Sequence, residues 1–208
     1  FVMCWTSIGQ SGAQVAGNLL VGAPAAWAIS RLRFRGRSMV RGLYIVLMLL
    51  PFQVTMVPSY LVLRQFGLLD TPWAIILPGI FSTFPVFIME RGFDTIPREV
   101  LESASIDGAN QWQRFWRIGI PLGIPGLISA LTLGFLDAWN AIEQPMTFLE
   151  SPQYWPLSLF FTDPANLDTK QLGLAMAASL WMLLPSILVF RFGQTYLEAG
   201  LTKGAVKG

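Results

Sequence analysis

The chain of 208 residues contains no histidine and only one cysteine, Cys4. It therefore lacks the side chain most often used as a general base and metal ligand, and it cannot form an internal disulfide. The sequence contains no Gly-x-x-x-x-Gly-Lys-Ser/Thr loop for nucleotide phosphates. Charged residues make up 12% of the chain, against about 25% in a typical soluble domain. These absences predict that the chain has no catalytic site and no metal site. They also argue against a soluble enzyme.

Long apolar runs are what the chain has instead. Apolar residues make up 53% of it, and the mean hydropathy is +0.54. Five runs approach or exceed the length of about 20 residues that crosses a bilayer. The sequence therefore predicts an all-α fold, a polytopic transmembrane helical bundle. Prolines inside several runs predict bent helices around a pathway. The five predicted spans are residues 7–30, 43–63, 72–89, 119–140 and 171–190.

Arginine and lysine are distributed unevenly among the loops between these spans. All 14 basic residues except Arg64 and Lys170 fall on one side of the predicted bundle. The positive-inside rule places that side, with the C-terminus, in the cytoplasm. The run of arginines at 31–41 follows a span directly, so it is predicted to mark the cytoplasmic side rather than a nucleic-acid site. A formal net charge of +2 likewise does not indicate nucleic acid.

A polar segment between the third and fourth spans predicts a hairpin of two short helices. Pro97 suits the first turn of a helix, and Gly108 suits the left-handed position that ends one. Asn110 and Gln113 have the spacing of a capping box for the second helix. Pro121 is expected to close the segment. The aromatic face of the second helix, which suits a membrane–water boundary, consists of Trp112, Phe115 and Trp116.

The hairpin resembles the EAA loop of bacterial ABC importer permeases. That loop reads Glu-Ala-Ala, three residues, Gly, nine residues, Ile, one residue, Leu-Pro, and the spacing here matches throughout. Ser103 and Ile120 are the two departures, and both are mild because serine is small and isoleucine apolar. The resemblance implies an ATPase-coupling loop at about residues 91–118. The coupling residues that it implies are Glu102, Ser103, Ala104, Asp107, Gly108, Ile118 and Pro121.

More of the chain is similar to the carbohydrate-uptake permeases of the maltose-transporter type. The similar segments are 33–37, 67–73, Trp139-Asn140 with Pro145, and the tail at 194–208. That family has six spans with both ends inside the cell. The chain is therefore expected to lack the first span, and residues 1–208 are predicted to form a single transmembrane domain.

The resemblance also implies the partners of the chain. It implies a second permease subunit in a heterodimer, two cytoplasmic ATPase subunits and an extracytoplasmic solute-binding protein. ATP and magnesium would be held by the ATPases, with no cofactor on this chain. The expected location is the cytoplasmic membrane of a bacterium or archaeon, where the chain contacts the lipid bilayer and a sugar-like substrate.

Polar residues inside the predicted spans are scarce, and such residues are often functional because hydrocarbon makes them costly. Asp137, Asn140 and Gln144 are spaced by three and four, which predicts one helix face. They are candidates to line the translocation path, with Trp139 offering a ring for a sugar to stack on. The alternative is that Asp137 lies near the outer interface and pairs within the protein. Gln53 is a further path candidate, or a partner in an interhelical hydrogen bond.

Two terminal or external segments carry further expectations. Residues after Phe192 are polar and glycine-rich, so they are predicted to leave the last span. The resemblance implies that Lys203, Gly204 and Lys207 contact the ATPase pair, and the alternative is a frayed terminus. The outer loop at 143–170 carries aromatic residues, and it is predicted either to dock a soluble binding protein or to cap the bundle.

Three classes of function compete for a chain of this kind. A secondary transporter should bury more charged groups than the single acid, Asp137, that lies well inside a span. A membrane enzyme needs a nucleophile with a base, or metal ligands, which this composition does not supply. The sequence therefore predicts an importer permease for a carbohydrate that works by alternating access. A permease for a non-sugar solute is the alternative.

Overall fold

The computed structural model of the chain describes residues 2–162 and 172–205, and all regular secondary structure within them is helical. This confirms the predicted all-α fold. A π-helical turn (Phe115–Gly119) joins α7 to α8, and two 3-10 turns (Pro152–Tyr154 and Leu157–Thr162) follow α9. The helices are α1 (Val2–Arg31), α2 (Arg37–Leu49), α3 (Phe52–Gln65), α4 (Trp73–Ile80), α5 (Thr83–Asp94), α6 (Arg98–Ile106), α7 (Gln111–Arg114), α8 (Ile120–Asn140), α9 (Glu143–Phe148) and α10 (Leu172–Ala205).

Three helical stretches in the described residues are long and apolar enough to cross a membrane, namely Trp73–Asp94, Gln111–Asn140 and Gly173–Glu198. The predicted span at 43–63 is corrected to two helices, α2 and α3. They are long and apolar enough to cross a membrane only when counted together, and the chain bends by 103° at the break between them. Pro51 causes the break, because it caps α3 with an extended backbone (ψ 150°) and disfavours helix in the residue before it.

The polar residues of α1 explain why this 30-residue helix is not among the three apolar stretches. The predicted span at 7–30 falls on this helix and does not pass the test for length and apolar character. Ser7 accepts a hydrogen bond from the Leu157 amide at 2.7 Å, and Gln10 donates to the Tyr154 carbonyl at 2.9 Å. Such bonds offset the cost of burying polar groups on one face of α1, while Trp5 and Leu20 are exposed on another.

The chain divides into two compact units. The first, which we call the turn unit, comprises Phe1–Ala16, Leu50–Phe81 and Phe135–Arg191. The second, which we call the hairpin unit, comprises Gly17–Leu49, Ser82–Gly134 and Phe192–Gly208. The single domain at 1–208 stays a prediction.

Glycine contacts bring α5 and α8 together in the hairpin unit. A Cβ atom at Gly92 would lie 2.6 Å from the Cα atom of Gly126, so the two backbones touch. Earlier in the same helical stretch, a Cβ at Gly123 of α8 would lie 2.6 Å from the ring of Phe93, and one at Gly119 of the π-helical turn would lie 2.6 Å from the ring of Trp27. This glycine face receives both aromatic rings, and it fixes the end of α5 from which the hairpin departs.

A smaller apolar core and a capped turn organise the turn unit. Its core consists of Leu63, Ala74, Ile75, Phe148 and Leu149. Beside it, Asp70 adopts a left-handed backbone (φ 54°), an uncommon conformation that aspartate tolerates better than most residues.

The last helix extends further than the sequence predicts. The backbone of α10 stays helical to Ala205, so the prediction that the chain leaves the helix after Phe192 is wrong. Packing overrides the low helix propensity of glycine here. A Cβ at Gly193 would lie 2.2 Å from the hydroxyl of Thr132 on α8, so glycine permits a close approach at this point.

Candidate functional site

The first half of the hairpin is α6, a nine-residue helix that begins after Pro97. Pro97 takes the N-cap position rather than the first turn. Leu101 points into the core with 9% of its surface exposed, whereas Ile106 is 87% exposed. Of the predicted coupling residues on this helix, Glu102 and Ser103 are exposed and Ala104 is half-buried. The helix therefore presents an outward face that combines an acid, small residues and an unpartnered isoleucine.

The turn after α6 is closed as its sequence predicts. Gly108 has φ +82°, which confirms the left-handed residue. Its amide donates to the Ser105 carbonyl at 3.1 Å, and the Ala109 amide donates to the Ala104 carbonyl at 2.9 Å. This pair of bonds is a Schellman motif, which satisfies the carbonyls left free at a helix end. Asp107, the C-cap residue, is exposed beside the turn.

The capping box at the start of α7 is also confirmed. The Gln113 amide donates to Asn110 Oδ1 at 2.8 Å, and the Asn110 amide donates to Gln113 Oε1 at 2.9 Å. The second helix is not separate, however, because α7 continues through the π-helical turn into α8 as one stretch, Gln111–Asn140. Pro121 lies inside that stretch and does not close the segment. The π-helical turn lies just before Pro121. Proline has no backbone N–H, so it cannot donate the regular helical hydrogen bond at this point.

Two sets of contacts attach the hairpin to the rest of its unit. Arg114 Nη1 donates to the Ser105 hydroxyl at 2.5 Å and so ties the second half to the first. Phe115 is buried and packs on the rings of Trp27 and Phe93 at centroid distances of 5.8 and 6.3 Å. Ile118 packs against the same core. The predicted aromatic face therefore divides, with Phe115 inside and Trp112 and Trp116 exposed at 61% and 51%.

Two arginines secure the base of the hairpin. Arg31 donates from its guanidinium to the carbonyls of Phe93 and Ile96 at the end of α5. Arg41 forms ion pairs with Glu90, which is 4% exposed, and with Asp94 at 3.0 Å. A third arginine, Arg37, donates from Nε to the Ile29 carbonyl at 2.6 Å and so ties α2 to α1. The chain turns away from α5 at the carbonyls that Arg31 contacts, so Arg31 and Arg41 fix where α6 begins.

Sequence reasoning missed these arginine contacts. It assigned the run at 31–41 to membrane orientation alone. A signal was nevertheless present, because Glu90 and Asp94 are spaced by four and therefore share a helix face near the end of an apolar run. Two acids on one helix face, together with a cluster of arginines elsewhere in the sequence, indicate an ion-pair network.

The predicted path residues are arranged differently from the single helix face that their spacing suggests. The helix α8 ends at Asn140, so Gln144 lies on the next helix, α9. Asp137 and Asn140 are exposed, and the Asn140 amide donates to the Leu136 carbonyl at 2.7 Å. Trp139 is 2% exposed, and its Nε1 donates to the Met182 carbonyl at 2.9 Å. This burial argues against a sugar stacking on the Trp139 ring.

Gln53 forms an interhelical hydrogen bond, which was the alternative to its predicted place in the translocation path. Its Nε2 donates to Glu143 Oε1 at 2.6 Å, joining α3 to α9, and both residues are exposed. In the tail, Lys203 and Gly204 belong to the backbone of α10. Lys207 lies outside the described residues, as does the outer loop from 163 onward.

Known proteins match the chain over nearly its full length. A family model described as the binding-protein-dependent transport system inner membrane component matches residues 18–203. The inner membrane ABC transporter permease protein YcjP of Escherichia coli K12 is 33% identical over 192 residues, which cover 91% of this chain and 69% of YcjP. The diacetylchitobiose uptake system permease protein DasC of Streptomyces coelicolor is 31% identical over 213 residues, which cover 98% of this chain and 76% of DasC.

A solved structure shares the fold. The crystal structure of a bacterial ABC transporter involved in the import of the acidic polysaccharide alginate contains a chain that superposes with a TM-score of 0.72. The match has 24% sequence identity and covers 99% of this chain and 75% of that one. From the matched family model and relatives, the chain belongs to the family of binding-protein-dependent transport system inner membrane components, and it is a membrane permease of the ABC importer type rather than an enzyme.

Proposed function

We propose that this permease imports a carbohydrate and couples to ATPase subunits through α6. Its partners are a second permease chain, two ATPase subunits that hold ATP and magnesium, and an extracytoplasmic binding protein. Two relatives carry names that support the carbohydrate, since one is a diacetylchitobiose permease and the other an alginate importer. The uneven distribution of basic residues among the loops supports a cytoplasmic hairpin and a cytoplasmic C-terminus.

The observation that carries the coupling role is the outward face of α6. Ile106 is 87% exposed on a helix whose opposite side is packed into the core. An exposed large apolar side chain beside acids and small residues fits insertion into a groove on another protein. Glu102 and Ser103 lie on the same exposed surface, and the Gly108 turn holds the helix against α7. The hairpin therefore offers a short projecting helix on a fixed base.

A pair of glycine substitutions tests this role. Gly108→Val and Gly36→Val both place a branched side chain at a left-handed position, φ +82° and +86°, with no heavy atom within 4 Å of the new Cβ. Each should cost about 1–2 kcal/mol of backbone strain. Because only Gly108 lies in the hairpin, only Gly108→Val should reduce substrate-stimulated ATP hydrolysis by the assembled importer. Equal stimulation in both variants, at equal assembly, would show that the hairpin does not couple.

The translocation path is proposed to include Asp137, Asn140 and the Gln53–Glu143 pair. Their exposure supports this, because a lipid-facing acid at the bilayer centre costs at least about 2.5 kcal/mol. Gln144, half-buried on α9, is the neighbouring candidate. Trp139 is assigned instead to packing between α8 and α10.

Uptake kinetics of the reconstituted importer test the path. Gln53→Leu and Asp137→Asn should raise KM for an oligosaccharide while leaving assembly intact. Ser179→Ala is the matched control, since among the residues that the structure describes its hydroxyl bonds only to the Ala175 carbonyl in its own helix. If both path variants behave like the control, these residues are structural. Uptake of an amino acid rather than of any sugar in a substrate panel would overturn the carbohydrate assignment.

A further inference from the structure

A half-open groove of about 1230 Å³ runs beneath the base of the hairpin. Its walls are the linker between α1 and α2, the end of α5 and the start of α6. Six arginines line it, against the acids Asp94, Glu99 and Glu102. The groove therefore carries an excess of positive charge. The lining arginines are Arg31, Arg33, Arg37, Arg41, Arg98 and Arg114.

These arginines differ in how far the chain itself uses them. Arg31 and Arg41 bond to carbonyls and carboxylates of the hairpin base, and Arg37 bonds to the Ile29 carbonyl of α1. Arg33 and Arg98 make no hydrogen bond and no ion pair with the residues that the structure describes, and both are exposed in the groove. Five donors on each free guanidinium remain available to a ligand.

Two buried donors in the same groove also lack an acceptor within the described chain. They are the Nε1 of Trp27, a residue with 4% exposure, and the Nε of Arg114. Indole and guanidinium nitrogens can only donate, and a buried donor without a partner is costly. Both nitrogens are covered by neighbouring atoms, so an acceptor oxygen must enter the groove wall to reach them.

We propose that this groove binds the phosphate-bearing headgroup of an anionic phospholipid. A phosphate offers several acceptor oxygens and the negative charge that Arg33 and Arg98 leave unmatched. Leu32, Phe34 and Leu101 add apolar surface to the groove, which suits a glycerol backbone better than it suits inorganic phosphate alone. Basic pockets beside membrane helices on the cytoplasmic side recognise such headgroups. That the bound phosphate belongs to a lipid rests on the proposed cytoplasmic orientation of the hairpin. Recognition of a phosphate group does not rest on it.

Native mass spectrometry of the delipidated importer complex in detergent tests the proposal. The probes are short-chain phosphatidylglycerol, short-chain phosphatidylcholine, glycerol 3-phosphate and inorganic phosphate. One phosphatidylglycerol per copy of this chain should bind, and the doubly substituted Arg33→Gln/Arg98→Gln protein should bind it about tenfold more weakly. The matched control, Arg35→Gln/Arg117→Gln, removes two exposed charges that do not line the groove and should change binding by less than about twofold.

The Trp27→Phe substitution distinguishes a specific binding site from general electrostatic attraction. It removes the indole donor but no charge, and it should weaken phosphatidylglycerol binding several-fold. Equal binding of phosphatidylglycerol and phosphatidylcholine would overturn the proposal. So would equal losses in the two double variants, because general positive charge would then be sufficient. Displacement of phosphatidylglycerol by inorganic phosphate or glycerol 3-phosphate at similar concentration would overturn the lipid source.

Discussion

In the hairpin unit, Arg41 bridges two carboxylates and the backbones of Gly92 and Gly126 touch. In the turn unit, single side chains bond instead to backbone groups of segments distant in sequence. Trp139 donates to the Met182 carbonyl, and Asp70 accepts from the amides of Glu150 and Ser151. The hairpin unit therefore combines a backbone-to-backbone contact with ion pairs, whereas the turn unit combines a smaller apolar core with separate hydrogen bonds.

The difference suits the roles proposed above, which are coupling for the hairpin unit and a translocation path for the turn unit. Closely packed backbones have no room to yield, so a displacement of α6 should carry α5 and α8 with it. A hydrogen bond between a side chain and a backbone group contributes only about 1 kcal/mol net, so such bonds can exchange partners as a path opens and closes. The comparison predicts that the hairpin unit tolerates substitution poorly and that the turn unit tolerates it better.

The largest expected effect is at the contact between α5 and α8. Gly92→Leu places a side chain where even a Cβ would lie 2.6 Å from the Gly126 Cα atom. Separating the two helices should cost more than about 4 kcal/mol, as overpacking of a core does in severe cases. Gly42→Leu is the control, because nothing lies within 4 Å of a Cβ there. Thermal unfolding in detergent should show a large loss for Gly92→Leu only. Similar melting of the two variants would contradict the rigid contact.

A smaller effect is expected from the ion pair at the hairpin base. Arg41→Ala leaves the Glu90 carboxylate buried without its partner, which should cost about 3 kcal/mol. Adding Glu90→Gln removes the buried charge and should restore part of the loss. Arg35→Ala, at an exposed position in the linker before α2, should stay within about 0.5 kcal/mol of the unsubstituted protein. If the double variant is no more stable than Arg41→Ala, the pair is not the source of the effect.

Local signals in the sequence predicted the hairpin correctly. Gly108, Asn110 and Gln113 act through bonds to residues within five positions, so their chemistry is visible in a short window. Membership of the permease family was predictable for the same reason, since the loop pattern is compact.

Contacts between distant segments were not predictable in this way. Nothing in the spacing of Gly92 and Gly126 shows that their helices cross there, and the partner of Arg41 lies 49 residues away. The prolines predicted a bend near Pro51, but the bond between Gln53 on α3 and Glu143 on α9 joins residues 90 positions apart. The helix α10 likewise continues beyond Phe192, where propensity predicted an end, and Gly193 there lies against Thr132 of α8.

The smallest effect concerns pH and the turn unit. Hydrogen bonds from the Ser151 hydroxyl, and then from the Ser151 amide, lower the pKa of Asp70, with a further contribution from the Glu150 amide. A carboxylate with a lowered folded pKa contributes stability above its unfolded value of about 3.9. That contribution is lost as the pH falls through the lower folded value. Asn tolerates the left-handed backbone of this position, so Asp70→Asn should keep the turn while removing the titration.

Melting temperatures between pH 3 and pH 7 test this expectation. The difference between the unsubstituted protein and Asp70→Asn should be constant near neutral pH and should shrink as the pH falls below about 4. Glu150→Gln is the control, because only the backbone amide of Glu150 takes part in the turn. A difference that grows on acidification would show that the Asp70 carboxylate destabilises the turn. The turn unit would then depend on its apolar core rather than on this bond.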